Sequence, residues 1–447
     1  MSTRYELIVR GGQVVTPSGT SSLDVAVSDG RIAALGDLAG AEAAQILDAK
    51  GLHVLPGVID TQVHFREPGN EHKEDLETGS RAAAMGGVTA VFEMPNTSPS
   101  TTTAEALDDK LTRARGRMWV DHAFFIGAAE ENVDKLAELE RLPGCCGVKV
   151  FMGASTGNLL VPDDETLDRV LASGRRRVAV HAEDEPRMRE RFALVEGGAE
   201  VSMHPVWRDE VTAVTATRRL LALARRHGRR VHVLHITTAD EVPLLAAAKD
   251  VATMEVTPQH LTLFAPDCYE RLGSFAQMNP PVREARHREA LWRAVADGIV
   301  DVIGSDHAPH TAEEKSGAYP ATPSGMPGVQ TLLPLLLDHM AAGRLSLERL
   351  VDLTSAGPQR IFGIAGKGRI AIGYDADLTL VDLAARREVT KDWLAAKCGW
   401  SPFEGMTLTG WPMATVVRGG IVMREGELLG SPRGAPVRFV ETLAPQG

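Results

Sequence analysis

Five side chains that can bind a metal ion or move a proton lie in, or shortly after, apolar runs of the kind that form buried β-strands. They are His64, Lys149, His181, His235 and Asp306. Imidazoles and carboxylates suit zinc and similar divalent ions. A single histidine at a strand end usually has a structural role. Several such residues around the mouth of one barrel instead predict a metal-assisted active site.

The segment GVIDTQVHFREPG, which starts at Gly57, contains the first of these residues. It predicts a buried strand over Val54–Phe65 that ends in polar residues before a Pro-Gly turn. Alternate residues of a strand share a face. Four side chains are therefore expected to point the same way: Val58, Asp60, Gln62 and His64.

Eight β-prone runs alternate with helical segments in the middle of the chain. The runs are Val54–Phe65, Val88–Met94, Trp119–Ile126, Gly147–Met152, Arg177–Ala182, Arg230–Ile236, Thr253–Val256 and Val300–Gly304, and helices are predicted over Glu77–Met85, Glu165–Leu171, Thr215–Arg226 and Arg288–Ala296. This alternation predicts an α/β fold, a (β/α)8 TIM-like barrel. By strand alternation, His232 is expected to face the helix layer rather than the site of His235.

Both ends of the chain consist of short β-prone runs separated by turn residues, such as the Asp-Gly pair at Asp29 and the Gly-Gly pair at Gly419. This pattern predicts a small β-sandwich-like domain built from residues 1–54 and 366–447. The barrel, over residues 55–365, would then interrupt that domain.

Composition limits the class of protein. A chain of 447 residues is long enough for one barrel and one small domain. Its net charge of −11 argues against a nucleic-acid or membrane partner. The four cysteines form no CxxC pair, so neither a disulfide framework nor a thiolate zinc site is expected. Without a secretory signal layout or an apolar run of about 18 residues, a cytoplasmic protein is predicted.

In these motifs the chain resembles the amidohydrolase superfamily over nearly its whole length, and within it the cyclic amidohydrolases: dihydroorotases, allantoinases and hydantoinases. The resemblance implies that one or two zinc ions are held by His64, Lys149, His181, His235 and Asp306. It also implies that Lys149 is N-carboxylated, which requires a neutral and therefore desolvated amine. Asp306 would in addition be the catalytic acid and base.

One residue departs from the family pattern. The first strand of the family carries His-x-His, and the first of these positions is occupied here by Gln62. An amide oxygen is a poorer zinc ligand than an imidazole. Three interpretations stay open: a one-metal site built mainly on His181 and His235, a weakened two-metal site, or a site without chemistry.

Four further residues resemble those with which dihydroorotases hold their substrate: Arg66, Asn96 and His310 around a carboxylate, and Asn279 at the ring. A planar guanidinium with an amide and an imidazole suits a small-molecule carboxylate. The resemblance therefore favours a dihydroorotase of pyrimidine biosynthesis, which reversibly opens dihydroorotate with water to N-carbamoyl-L-aspartate. The segment Ser324–Gly328 resembles hydantoinases instead, so a hydantoinase- or allantoinase-like enzyme is the alternative.

A third hypothesis is a non-catalytic dihydroorotase-like subunit that scaffolds aspartate transcarbamoylase. Gln62 favours it, whereas the otherwise complete set of ligands opposes it. The family resemblance also implies a homo-oligomer.

Overall fold

A parallel sheet of eight strands forms the centre of the molecule. The structure, a computed structural model, describes residues 4–154 and 159–443. In chain order the strands of these residues are β1 (Tyr5–Thr16), β2 (Gly19–Ser28), β3 (Arg31–Gly36), β4 (Ala43–Asp48), β5 (His53–Pro56), β6 (Val58–Val63), β7 (Val88–Glu93), β8 (Asp121–Gly127), β9 (Cys145–Phe151), β10 (Val178–His181), β11 (Val231–Val233), β12 (Ala252–Val256), β13 (Val302–Ile303), β14 (Leu378–Glu388), β15 (Thr407–Val417), β16 (Gly420–Arg424) and β17 (Glu427–Leu428).

Helices follow most of the central strands. They are α1 (Leu76–Met85), α2 (Ala104–Ala114), α3 (Leu136–Leu139), α4 (Asp164–Ala172), α5 (Glu185–Arg191), α6 (His204–Trp207), α7 (Glu210–His227), α8 (Glu241–Ala246), α9 (Pro258–Thr262), α10 (Asp267–Leu272), α11 (Ala285–Ala296), α12 (Ala312–Lys315), α13 (Leu332–Ala341), α14 (Leu347–Val351) and α15 (Gly357–Phe362). The four predicted helices correspond to α1, α4, α7 and α11. Within the described ranges, no helix is long and apolar enough to span a bilayer.

Strands β6 to β13 pair in parallel and in chain order. A bridge between Val63, at the end of β6, and His307, just after β13, brings the two edges of this sheet together. The main-chain N–H of His64 also donates to the carbonyl of His307 at 2.7 Å. The predicted eight-stranded parallel barrel is therefore confirmed, with near closure at the strand ends that carry the candidate site.

The two ends of the chain share a second sheet. Its order is β17-β16-β15-β14-β5-β1-β2-β3, with β4 beside β1. Because β5 pairs with β1 in parallel and with β14 in antiparallel fashion, the amino- and carboxyl-terminal strands form one sheet. This sheet has its own apolar core, which includes Val25, Val54 and Val416. Seven residues at the chain ends, 1–3 and 444–447, lie outside the described residues.

The prediction of a single strand over Val54–Phe65 is wrong. Its first part is β5 of the small sheet, and its second part is β6 of the barrel. Gly57 lies between them and donates its N–H to the carbonyl of Asp377 at 2.8 Å. A Cβ at this position would collide with the side chain of Thr89, so the crossing requires glycine.

The expected alternation along β6 is also only partly present. Val58 packs in the layer between the barrel and the helices, whereas its neighbour Ile59 packs inside the barrel. The pairing with β7 shifts between Val58 and Ile59, and again between Asp60 and Val63. These irregularities change the face on which successive side chains lie.

A buried lysine joins the small sheet to the amino-terminal end of the barrel. Lys367 Nζ lies 2.5 Å from Asp121 Oδ2, 2.6 Å from Asp377 Oδ2 and 3.2 Å from Asp375 Oδ2. Burial alone would lower the pKa of Lys367, but the three carboxylates outweigh it and raise that pKa. Lys367 is therefore positively charged, and its ion pairs link Asp121 of the barrel to Asp375 and Asp377, just before β14 of the small sheet.

Candidate active site

His64 and Asp306 meet at the edge where the barrel closes. His64 Nδ1 lies 2.8 Å from Asn96 Oδ1, and its Nε2 lies 3.3 Å from Asp306 Oδ1. Because the amide oxygen accepts the Nδ1 proton, Nε2 carries the lone pair of a neutral ring. Burial lowers the pKa of His64, so the neutral ring dominates at neutral pH. An imidazole lone pair thus faces a carboxylate oxygen.

A second pair of ligand-type atoms lies at the ends of β10 and β11. His181 Nε2 is 2.8 Å from Glu183 Oε2, so it donates its proton there, and the Nδ1 lone pair faces His235 Nε2 at 3.0 Å. His235 Nδ1 is buried without a hydrogen-bond partner in the described part of the chain. Burial lowers the pKa of both imidazoles, and the pKa of His235 lies well below its ordinary value.

Both pairs fit a divalent metal ion. Two ligands of one tetrahedral zinc ion, each about 2.0–2.1 Å from it, lie about 3.3 Å apart. The separations of 3.3 Å between His64 and Asp306 and of 3.0 Å between His181 and His235 are close to that value. Neutral imidazoles and a carboxylate are also the donors that zinc prefers.

Lys149 projects from β9 and is buried. Burial lowers the pKa of its ammonium to about 7, although Asp306 and Glu255 act in the opposite direction. Its Nζ lies 4.4 Å from the centroid of the Phe151 ring. At neutral pH a large fraction of this amine is neutral, which is the form that can react with carbon dioxide.

Gln62 occupies the position at which the family pattern has a histidine. Its Nε2 donates to Asp306 Oδ1 at 3.0 Å, and its Oε1 is buried without a hydrogen-bond partner among the described residues. The amide therefore supports the carboxylate of Asp306 through its nitrogen. Asp306 itself has a positive φ of 45°, a conformation that an aspartate tolerates better than most residues.

A group of three metal-type donor residues lies elsewhere in the described part of the chain. Donor atoms of Glu210, Glu284 and His287 all lie within 4.8 Å of one another. Glu284 is two-thirds exposed, and Arg286 Nη2 lies 2.5 Å from Glu210 Oε1. We regard this group as a surface ion-pair cluster, because an arginine already balances its charge. Four of the five predicted ligands form two separate buried pairs instead, and Lys149 is buried outside both pairs.

Three of the four predicted substrate residues line one cavity of about 400 Å³ at the barrel mouth: Arg66, Asn96 and His310. Arg66 is only 5% exposed. Its Nε donates to the carbonyl of Pro309 at 3.1 Å, and its Nη2 lies 3.2 Å from His310 Nε2. Burial lowers the pKa of Arg66 to about 10, which still leaves it charged at neutral pH.

Asn279 lines a different cavity, of about 470 Å³, together with the apolar side chains of Met188, Phe192 and Trp207. Its Oδ1 accepts a hydrogen bond from His204 Nε2 at 3.0 Å. Pro323 borders both cavities. The structure thus brings Arg66, Asn96 and His310 together but places Asn279 on the other side of this proline.

Sequence reasoning missed an ion pair that supports His181. Arg208 Nη2 lies 2.5 Å from Glu183 Oε2, the atom to which His181 donates. Arg208 and His181 outweigh the effect of burial and hold the pKa of Glu183 below its ordinary value. The His-x-Glu spacing after β10 could have indicated Glu183, but Arg208 has no local signal.

The prediction that His232 faces the helices is wrong. Its Nε2 lies 3.2 Å from Glu255 Oε2, and its ring contacts Phe362 inside the barrel. Strand β11 already ends at Val233, and His235 has a positive φ of 38°. Counting alternate residues from His235 therefore gives the wrong face.

Comparison with known proteins identifies close relatives. The sequence profile of the amidohydrolase family matches residues 53–422. A dihydroorotase of Methanosarcina mazei is 36% identical over 442 residues, which cover 96% of each chain. An allantoinase of Deinococcus radiodurans is 35% identical over 445 residues, 97% of this chain and 98% of that one.

Among solved structures, an L-hydantoinase (dihydropyrimidinase) from Arthrobacter aurescens superposes with a TM-score of 0.92 at 32% sequence identity. The match covers 97% of this chain and 99% of the other. Proteins named for three different cyclic substrates are thus similar to the chain along nearly its whole length.

Proposed function

This chain belongs to the amidohydrolase family and is a hydrolase of cyclic amides, and we propose that its substrate is dihydroorotate. The reaction is the reversible opening of the ring with water to N-carbamoyl-L-aspartate, a step of pyrimidine biosynthesis. Two of its curated relatives at 36% and 40% identity are named dihydroorotase, from Methanosarcina mazei and Halobacterium salinarum.

A buried arginine carries this proposal. Among the described residues, the Arg66 guanidinium donates to the main-chain carbonyl of Pro309 and lies 3.2 Å from His310 Nε2, and no carboxylate forms a hydrogen bond with it. A buried charge is normally paired. Because Arg66 lines an open cavity beside Asn96, a substrate carboxylate is the counter-ion that best fits it.

We propose zinc as the cofactor. His181, His235 and a carboxylated Lys149 would hold one ion tightly, and His64 with Asp306 would hold a second ion weakly, because Gln62 offers no imidazole. Zinc bound in such a site makes hydroxide available near neutral pH and polarises a carbonyl group.

The remaining chemistry belongs to side chains of this protein. Arg66, Asn96 and His310 bind the carboxylate and so orient the ring through a group remote from the reacting carbonyl. Asp306 accepts a proton from the attacking water and delivers it to the ring nitrogen when the carbon–nitrogen bond breaks. The water adds its oxygen to the carbonyl carbon, so the product gains one carboxylate.

A specific observation supports a second candidate function. The cavity beside Asn279 has an apolar wall of Met188, Phe192 and Trp207, which suits a ring with an apolar substituent. A hydantoin with an apolar group on its C5 atom is such a substrate, and the solved relative with a TM-score of 0.92 is an L-hydantoinase (dihydropyrimidinase).

The test is the loss of dihydroorotate absorbance on protein whose zinc has been counted in the same sample. We expect turnover with at least one zinc per chain, and we expect Asp306→Asn to lose about 100-fold or more of kcat while remaining folded. Turnover of hydantoins or allantoin alone would favour the second candidate. A zinc-free, inactive chain that co-purifies with aspartate transcarbamoylase would instead identify a scaffold subunit.

A further inference from the structure

Lys73 has no role in the ligand and substrate sets described above, yet it lines the same cavity as Arg66. It lies two residues before Asp75, the amino-terminal cap of α1. Its Nζ is 3.1 Å from His310 Nδ1 and 3.1 Å from Glu314 Oε1, and its side chain is 15% exposed. The ammonium therefore contacts a residue of the substrate pocket directly.

These contacts decide which nitrogen of His310 carries the proton. A lysine ammonium can only donate, so Nδ1 must accept from Lys73. Nε2 then carries the hydrogen and donates to the carbonyl of Ser324 at 3.0 Å. The opposite tautomer would set Nδ1–H against the ammonium, since Glu314 Oε2, at 3.7 Å from Nδ1, is too far to accept that hydrogen, and it would remove the Nε2 donor from the Ser324 carbonyl. One tautomer thus satisfies both contacts.

This tautomer has a consequence for Arg66. Its Nη2 lies 3.2 Å from His310 Nε2, and two donor groups cannot form a hydrogen bond with each other. The Nη2 hydrogens of Arg66 are therefore not used by the imidazole. They are available to an acceptor in the cavity, and the Nε contact with Pro309 keeps the guanidinium plane in place.

Glu314 forms a direct ion pair with Lys73, whereas the carboxylates that act on Arg66 in the described part of the chain, Glu314 included, do so without touching the guanidinium. Glu314 is held at the start of α12, where its Oε2 accepts the main-chain N–H of Thr311 at 3.1 Å. Lys73 and Glu314 thus form a pair at the rim, and the guanidinium of Arg66 can still take a carboxylate in direct contact.

We propose that Lys73 is a positioning residue for the substrate: it fixes His310 as an Nε2–H tautomer and so keeps Arg66 Nη2 free to bind the substrate carboxylate. This inference rests on the proposed function, because it presupposes a carboxylate in that cavity. Lys73 acts through His310 and does not take part in the chemical step.

The test uses the zinc-loaded enzyme with Lys73→Met, Lys73→Arg and, as a matched control, Lys50→Met at an exposed turn of the small sheet. Lys73→Met should raise KM for dihydroorotate about tenfold, a free-energy change of ~1.4 kcal/mol, and leave kcat within about twofold. Lys73→Arg should restore KM, and Lys50→Met should not change it. Inhibition by 5,6-dihydrouracil, which lacks the carboxylate, should be the same in all variants.

A second readout does not depend on turnover. In protein labelled with ¹⁵N-histidine, the ring signals of His310, assigned by their loss in His310→Gln, should report the Nε2–H tautomer in the wild type and in Lys73→Arg. Lys73→Met should shift them towards a tautomer mixture. Unchanged ring signals or an unchanged KM in Lys73→Met would overturn the positioning role.

Equal losses for dihydroorotate and dihydrouracil would also overturn it, since they would indicate a structural defect. A wild-type enzyme without dihydroorotate turnover would refute the proposed substrate and, with it, the carboxylate part of this inference. The ring signals of His310 would then still decide the tautomer.

Discussion

Replacing Arg66 by methionine removes the guanidinium but keeps most of the apolar stem of the side chain. The structure gives Arg66 no carboxylate partner in its hydrogen-bonding contacts among the described residues, although it is buried. We therefore expect the substitution to weaken the binding of dihydroorotate and to change kcat by no more than about threefold, since Arg66 moves no proton in the proposed reaction.

The magnitude follows from the hydrogen bonds that the guanidinium can form. A bond to a charged group contributes about 1.5–3 kcal/mol, and Arg66 can offer two such bonds to a carboxylate. His310 and Asn96 line the same cavity and would retain part of the binding. We take about 3 kcal/mol as the net loss, which corresponds to a rise in KM of about 150-fold.

The substitution also affects stability, but less. The bond from Arg66 Nε to the Pro309 carbonyl, 3.1 Å long, would be lost at a cost of about 1 kcal/mol. Removal of a buried cation offsets part of that cost. Thermal unfolding of Arg66→Met should therefore differ little from that of a control such as Arg115→Met, which changes an exposed arginine.

The assay compares dihydroorotate with 5,6-dihydrouracil, which has the same ring without the carboxylate. Arg66→Met should raise KM for the first and leave the inhibition constant of the second unchanged. Arg66→Lys, which keeps the charge but not the planar fork, should fall between methionine and the wild type. An equal effect on both ligands would refute the carboxylate receptor, and so would an unchanged KM.

Three further predictions concern the metal site and the fold. Gln62→His should raise the zinc content, measured by mass spectrometry after dialysis, from one ion per chain to two. The same zinc content in Gln62→His and in the wild type would show that residue 62 does not limit the binding of a second ion. Burial lowers the pKa of Lys149 to about 7, so about a tenth of the amine is neutral at pH 6 and about nine-tenths at pH 8. Carboxylation of the metal-free protein by ¹³C-labelled carbon dioxide, measured by NMR at a fixed concentration of dissolved CO₂, should therefore rise several-fold from pH 6 to pH 8. A carboxylation level that does not change with pH would contradict the proposal that Lys149 is the carboxylated residue. Lys367→Met would leave Asp377 buried without its cation and Asp121 with Arg418 alone, so urea unfolding should show a loss of about 3–5 kcal/mol. A loss below 1 kcal/mol would refute the view that this lysine stabilises the fold.

The barrel could be predicted because its strands are apolar runs of regular spacing. The limit of that reasoning is visible at Gly57. Residues on both sides of it are apolar and buried, yet His53–Pro56 pairs with strands of the small sheet and Val58–Val63 with β7. Hydrophobicity reports burial and not the hydrogen-bonding partner of a strand, so the sequence alone could not divide this run.

At the site, strand ends could be predicted but side-chain pairs could not. Lys149, His181 and Asp306 converge because parallel strands present their carboxyl ends at one face. The contact between His64 and Asn96 depends on the loop after β7, and the pair of Lys73 and His310 joins residues 237 positions apart. No periodic pattern connects residues of different loops, so only the structure gives these pairs.

Gln62 orients the side chain of Asp306, the proposed general base. Asp306 has a positive φ of 45° and must keep its carboxylate aimed at the site. A hydrogen bond of 3.0 Å from Gln62 Nε2 holds that carboxylate. The orientation of the proposed general base therefore does not require a second metal ion. For this reason we expect the chain to work with one zinc ion, and we regard glutamine at this position as a functional alternative to histidine rather than as a sign of lost activity.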